Sequence, residues 1–161
     1  MKRPSPVPVE IRDAVLSDVG AMMIIRRSVV ENAISGARLD ALGIDEASLR
    51  ARLLSSHSGH CAVVGERVIG FAMADLGGGS IWALFVLPEE EGRGAGKGLL
   101  EAALDRIWDQ GHGRAVLSTD PGTRASEFYR RNGWRSSGEN DRGEIVFTRA
   151  RPSPDETSPS S

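Results

Sequence analysis

The hydrophobic pattern of the chain is densest between Ile81 and Leu87, where Ile-Trp-Ala-Leu-Phe-Val-Leu runs without a polar side chain. Such a run predicts a strand covered on both faces, and Pro88, with no N–H to donate, ends its ladder. Around this strand the pattern switches between strand and helix periods. Val9 to Arg12 predicts a short first strand. Ser17 or Asp18 is placed to cap a helix whose Val19, Met22, Met23, Val29 and Val30 recur at helical spacing. Gly36 and Gly43 interrupt the next stretch, and Asp45 can cap a second helix with Leu49, Leu53 and Leu54 on one side. His60 to Val64 and Val68 to Ala74 predict two strands about the turn Gly65-Glu66-Arg67. Gly77-Gly78-Gly79 then leads antiparallel into the Ile81 strand.

Beyond Pro88, Leu99, Leu100, Ala103, Leu104, Ile107 and Trp108 mark the buried stripe of a long helix, which Gly111 and Gly113 end. Ala115 to Leu117 predicts another strand, and Thr123 to Asn132 a further helix closed by Gly133. Trp134 to Ser137 and Glu144 to Thr148 predict a last hairpin. The order βααβββαβαββ predicts a mixed α/β sheet of about six to seven strands with helices on both faces. One domain over residues 9–150 accommodates all of these elements. Residues 1–8 are expected to be a flexible N-terminus. Residues 151–161, with three prolines and almost no apolar content, are expected to be a disordered tail.

Between the apolar strand and the long helix, Gly92, Gly94, Gly96 and Gly98 remove four side chains. Amides left bare at a helix N-terminus attract anions, so this is a candidate phosphate-binding turn. A Walker A loop needs Ser or Thr after its lysine, and Gly98 follows Lys97; the Mg²⁺-holding hydroxyl is missing. A G-x-G-x-x-G dinucleotide fingerprint meets Lys97 or Leu99 at its last position and fails in both registers. An acyl-CoA signature, Q/R-x-x-G-x-G/A, fits as Glu91-Gly92-Arg93-Gly94-Ala95-Gly96, with Glu91 the one departure.

This segment resembles the core motif of the GNAT-type N-acetyltransferases, which bind acetyl-CoA. Downstream, Ala125-Ser126-Glu127-Phe128-Tyr129-Arg130-Arg131-Asn132-Gly133-Trp134 is similar to the family's A-x-x-F-Y-x-x-x-G-F, with Trp134 in place of the final Phe. The resemblance covers Val9 to about Ala150. It implies a GNAT-like sheet and transfer of an acetyl group from acetyl-CoA to a primary amine by direct attack in a ternary complex. The implied acceptor is a small-molecule or peptide amine. It also implies that Phe85, Val86 and Leu87 of the central strand offer backbone groups to the pantetheine and thioester. Arg93, Gly94, Ala95, Gly96, Lys97 and Gly98 would hold the diphosphate. Tyr129, the only tyrosine, stands where the family places its general acid, and Ser126 would contact the pantetheine or phosphates. Arg130 and Arg131 are read as a solvated face.

The apolar strand offers no carboxylate for a general base, which leaves Asp75, Glu31, His57, His60 or a water chain as candidates. His57 and His60 have no acidic or thiol companions arranged around them and do not make a metal site. The acceptor pocket is expected to be rimmed by Glu31 to Asp45, including Asn32, Arg38 and Asp40. A non-catalytic acyl-CoA-binding regulator on the same scaffold is the alternative reading. Many relatives are homodimers, and the sequence leaves the assembly open.

Composition changes this picture little. The chain has 161 residues, 40% of them hydrophobic, and a net charge of −2. Its pI is near 5.9 and aromatics make up 5%, which argues against a nucleic-acid or anionic membrane partner. Cys61, the single cysteine, lies in an apolar run and reads as a small core residue. With no signal-peptide h-region and no membrane span in the sequence, cytoplasmic residence is the expectation.

Overall fold

The computed structural model describes residues 8–33, 46–55, 57–122 and 124–152. The described residues form one seven-stranded sheet in the order β1-β2-β3-β4-β5-β7-β6. Strand β1 is Val9–Asp13, followed by helices α1, Val19–Ala33, and α2, Glu46–Leu54. Next comes an antiparallel meander: β2 His57–Val64, β3 Arg67–Asp75 and β4 Ser80–Val86. The long helix α3, Ala95–Asp109, crosses over to β5, Arg114–Thr119, which lies parallel to β4. Helix α4, Arg124–Arg131, leads into β6, Arg135–Glu139, and β7, Ile145–Ala150. This is the mixed sheet the sequence predicts. Residues 1–7 of the expected flexible N-terminus, most of the segment from Glu31 to Asp45 and residues 153–161 of the expected disordered tail lie outside the described residues.

Helices α1 and α2 cover one face of the sheet, and α3 and α4 the other. The stripe Leu99, Leu100, Ala103, Leu104 and Ile107 of α3 is fully buried, whereas Trp108 is only half-buried. On the opposite face Val19, Met22 and Ile25 of α1 and Leu49 of α2 close over Phe71 and Met73. Leu54 departs from expectation. It ends α2 and is 73% exposed, because Leu49 and Leu53, one turn apart, take the buried side of the helix and Leu54 falls off that stripe.

Gly98 and Ile11 show how closely α3 sits on the sheet. A Cβ at Gly98 would lie 3.0 Å from the Ile11 side chain. Glycine here admits the helix to van der Waals distance of β1.

Two irregularities distinguish the middle of the sheet. Met73 pairs with Ala83 but Ala74 pairs with Ile81, so Trp82 is an extra residue on β4. This bulge turns Trp82 towards the α1/α2 face beside Ala83 and restores Ile81 to the α3 face. Next to it, β4 and β5 share a single register pair, Ser80 with Val116, supported by the Val116 N–H donating to the Gly79 carbonyl at 3.0 Å. Beyond that rung the two strands part. The expectation of a strand covered on both sides therefore holds only in part: Trp82, Leu84, Phe85 and Val86 are half-buried, since their β5 flank is open.

Candidate active site

The gap between β4 and β5 brings the two sequence motifs together. At its far end Pro88–Glu90 makes one 3-10 turn, and Gly92 and Gly94 come after it with φ of +90° and +85°. Gly94 is the residue before α3, and a left-handed φ there favours glycine because a side chain would strain against its own carbonyl. The first intrahelical bond is from the Gly98 N–H to the Gly94 carbonyl, at 3.0 Å. The Ala95, Gly96 and Lys97 amides therefore precede the helix ladder and point out of its N-terminus. No heavy atom comes within 4 Å of a Cβ built on Gly94, so that side of the turn is open. The Gly98 amide is spent within the helix. Its glycine serves packing against Ile11, which separates it from the other members of the expected diphosphate cradle.

The three consecutive acids before the turn are each matched by arginine. Arg67 reaches Glu89 at 3.2 Å and Glu90 at 2.9 Å, and Arg93 reaches Glu90 at 2.9 Å. Glu91 is held by Arg124 from the start of α4, at 3.1 Å. The carboxylate that departs from the family signature is thus neutralised across the turn, while Arg93 is committed to Glu90. Lys97 is exposed and, among the described residues, has no carboxylate partner.

Along β4 the Leu87 N–H donates to the Ile69 carbonyl at 2.9 Å. In an antiparallel ladder alternate residues face the same neighbour, so Phe85 also bonds towards β3, and the amides of Val86 and Leu84 face the gap. Of the three expected backbone positions, Val86 carries the outward N–H.

Helix α4 lays Phe128 against Gly96, 3.4 Å from the position of a Cβ, and so docks on the N-terminal turn of α3. Ser126 is fully buried in its first turn. Tyr129 is 7% exposed, with its ring centroid 5.4 Å from Phe128, 5.9 Å from Phe147 and 6.1 Å from Trp134. Desolvation in this aromatic nest raises the phenol above its ordinary value and keeps it protonated. Arg130 lies over the Phe147 ring and pairs weakly with Glu127 at 3.9 Å.

The general-base candidates scatter. The Asp75 carboxylate accepts the Gly77 and Gly78 amides at 3.0 and 3.3 Å and shapes the turn into β4. His60 is buried on the α3 face, 3.6 Å from Asp13, which itself pairs with Arg106 at 2.8 Å. Burial lowers the His60 pKa, with Arg106 adding to the effect, so the ring is neutral near pH 7, but it lies strands away from the gap. The side chains of Glu31 and His57 lie outside the described residues. Among the described residues no group of three His, Cys, Asp or Glu could hold a metal ion.

A carboxylate that the sequence pattern does not single out is better placed. Glu144 is 7% exposed where β7 begins. Its Oε1 accepts from the Asn140 side-chain amide at 3.0 Å and the Ser118 hydroxyl at 3.3 Å. With Ser118, Trp82 and Arg52 it lines a cleft of about 510 Å³ on the α1/α2 side of the β4–β5 gap. The only trace of this in sequence is the turn Asn140-Asp141-Arg142-Gly143 immediately before it.

Comparison with known proteins agrees with this architecture. The family model for acetyltransferases of the GNAT family matches residues 34–134. Among solved structures, the PaiA N-acetyltransferase from Thermoplasma acidophilum, in complex with coenzyme A, superposes with a TM-score of 0.74 at 16% identity, covering 89% of this chain and 99% of its own. A GCN5-related N-acetyltransferase from Rhodopseudomonas palustris gives 0.73 at 21% identity, covering 93% and 100%. YncA from Salmonella typhimurium, solved with its cofactor acetyl-CoA, gives 0.67 at 17%, covering 88% and 93%. No curated protein matches the chain. A family model that spans most of the folded chain, on a sheet with this gap and this turn, settles the kinship: the chain belongs to the acetyltransferase (GNAT) family.

Proposed function

We propose that the protein is an N-acetyltransferase that moves the acetyl group of acetyl-CoA to a primary amine by direct attack. The observation that carries the reading is the parting of β4 from β5 beside a helix N-terminus with open amides. A chain lying in that gap finds an unpaired strand edge along its length and three anion-seeking amides at its end. The Ala95, Gly96 and Lys97 amides suit a diphosphate, with Gly94 giving the backbone its approach. Acetyl-CoA supplies an activated thioester, so no covalent enzyme intermediate is needed.

The protein's share of the chemistry is placement and charge. A lysine-like amine with a pKa of about 10.4 is almost wholly protonated at pH 7, a handicap of about 4 kcal/mol. Holding both reactants on either side of one gap offsets several kcal/mol of that through lost motion. The outward Val86 amide is a donor for negative charge developing on the carbonyl oxygen, a role worth about 3 kcal/mol where such donors are preorganised. Tyr129, kept neutral by its nest, is the proton donor for the departing thiolate.

Release of free thiol from acetyl-CoA across a panel of primary amines tests the reading. Amine-dependent release, with CoA bound in calorimetry, supports it. CoA binding without release from any amine would favour an acyl-CoA-binding regulator, for which the close packing of Tyr129 by aromatic rings is a structural reason.

A further inference from the structure

The cleft on the α1/α2 face has a composition that narrows the acceptor. Its polar lining comes from four separate stretches: Arg52 on α2, Trp82 at the β4 bulge, Ser118 on β5, and Asn140, Arg142 and Glu144 around the β6–β7 turn. The Arg52 guanidinium carbon lies 4.4 Å above the centroid of the Trp82 ring. That contact holds the guanidinium beside the ring, and Arg52 is half-buried there. Among the described residues Arg52 has no carboxylate partner. Glu144, at the inner wall, is immobilised from several directions. Asn140 Oδ1 accepts the Glu144 and Arg142 amides at 3.1 and 2.9 Å, and Arg142 Nε stands 3.9 Å from Glu144 Oε1.

We propose that this cleft takes a small amine that also carries an anionic group, with the ammonium towards Glu144 and the anion on Arg52. The proposal rests on the acetyltransferase reading and specifies its acceptor. Among the described residues, two arginines against one glutamate leave the lining with an excess positive charge. A polyamine would add like charge to it, whereas an acceptor with its own anion supplies the missing partner. The guanidinium offers paired N–H donors to a carboxylate or a phosphate alike. A volume of about 510 Å³ lies within the span of small-molecule sites. The Trp82 bulge places one wall of the cleft next to the strand edge that the donor would follow, so both substrates meet at the gap.

The test uses the full chain and matched amines: β-alanine, β-alaninamide, phosphoethanolamine and putrescine. Thiol release from acetyl-CoA is measured for wild type, Arg52→Gln and Arg52→Lys, alongside calorimetric binding of each amine to the protein saturated with CoA. The amide differs from its acid in amine basicity as well as charge, so the informative quantity is the change each variant causes. Arg52→Gln is expected to raise KM at least tenfold for an anionic amine, with kcat little changed, and to leave the amide and putrescine within about threefold. Arg52→Lys should restore part of the loss. The arm that responds more, carboxylate or phosphate, identifies the anion. Equal effects of Arg52→Gln on amines with and without an anionic group, in turnover and in binding, would overturn the proposal. Should no amine release thiol while Arg52 still governs binding of anionic amines, the catalytic reading fails and the assignment of the cleft stands. CoA affinity and melting temperature, expected to be the same in all three proteins, exclude a general loss of structure.

Discussion

Arg124, the first residue of α4, grips Glu91 across the glycine turn with both terminal guanidinium nitrogens, at 3.1 and 3.4 Å. The pair ties the start of α4 to the turn that precedes the open amides of Ala95 to Lys97. Their pairing cancels the one negative charge that the family signature does not have.

Removing the arginine should therefore affect ligand more than fold. Arg124 is 85% exposed, so Arg124→Ala should change stability by less than about 1 kcal/mol. It unmasks Glu91 beside a diphosphate and should weaken CoA binding several-fold at low ionic strength, with the difference vanishing as added salt shortens the Debye length to about 3 Å near 1 M. Glu91→Gln should tighten binding and abolish the effect of Arg124→Ala. Calorimetric titration of CoA into both single variants and the double variant measures the coupling, and a simple sum of effects would contradict it.

Gly94 and Gly98 should fail in opposite ways. Gly94→Asp strains a left-handed residue by about 1–2 kcal/mol and sets a negative charge among the open amides, so CoA binding should disappear from a protein that still melts cooperatively. Gly98→Val drives a side chain into Ile11 and should cost about 1–3 kcal/mol of stability while the remaining folded protein binds CoA as before. Loss of CoA binding by a fully stable Gly98→Val protein would reverse the division of labour.

Tyr129→Phe keeps the ring and removes the hydroxyl proposed as the proton donor. Turnover should fall about 100-fold with CoA affinity unchanged. The raised phenol pKa also has a thermodynamic sign. Below pH 10 the folded and unfolded states both keep the proton and the group contributes no slope. Above about 10 the unfolded chain ionises while the folded one does not, so stability declines with rising pH. Urea melts between pH 9 and 11 should show a shallower decline in Tyr129→Phe than in wild type.

Asp18 is the corresponding test on the acid side. It is 6% exposed, pairs with Arg12 at 2.8 Å and accepts the Val15 amide at 2.8 Å. Its hydrogen bonds to Arg12, more than the amide, hold the carboxyl below the usual range. The stability it contributes is full above the unfolded value of about 3.9 and is lost as pH falls through the lower folded value. Asp18→Asn should cost about 1–3 kcal/mol at pH 7 and flatten the acid limb of the stability profile. The same carboxylate, after burial, raises the Cys61 thiol, which is pushed up to about 12 and should resist alkylating reagents until the fold opens.

Much of the frame was legible because it is written in contiguous signals. The Ile81–Leu87 run, the α3 stripe from Leu99 to Ile107 and the glycines before it each specify their element without help from distant residues. Gly98 belongs to the same glycine series as Gly94, yet one packs and the other opens the backbone; only Ile11, far off in sequence, tells them apart. The parting of β4 and β5 was legible only through the family resemblance, which implies exposed backbone groups at Phe85, Val86 and Leu87; the residues alone do not show it, since an apolar run looks the same whether or not its neighbour is hydrogen-bonded. The cleft was not legible at all. Arg52, Trp82, Ser118 and Glu144 come from separate stretches, and each alone reads as an ordinary surface or turn residue. The sequence offered instead Asp75, Glu31, His57, His60 or a water chain; Asp75 is spent on a tight turn, and His60 is buried beside Asp13, strands away from the gap.

The lone rung between Ser80 and Val116 has a mechanical corollary. Strands β1–β4 and β5–β7 are two blankets stitched at one point and clamped by the long helix that spans them. A molecule lodged along the seam would act as an eighth ribbon, converting two loosely coupled plates into one. Heat and proteases would then register its arrival as a stiffening of the entire β-scaffold, well beyond the residues it touches.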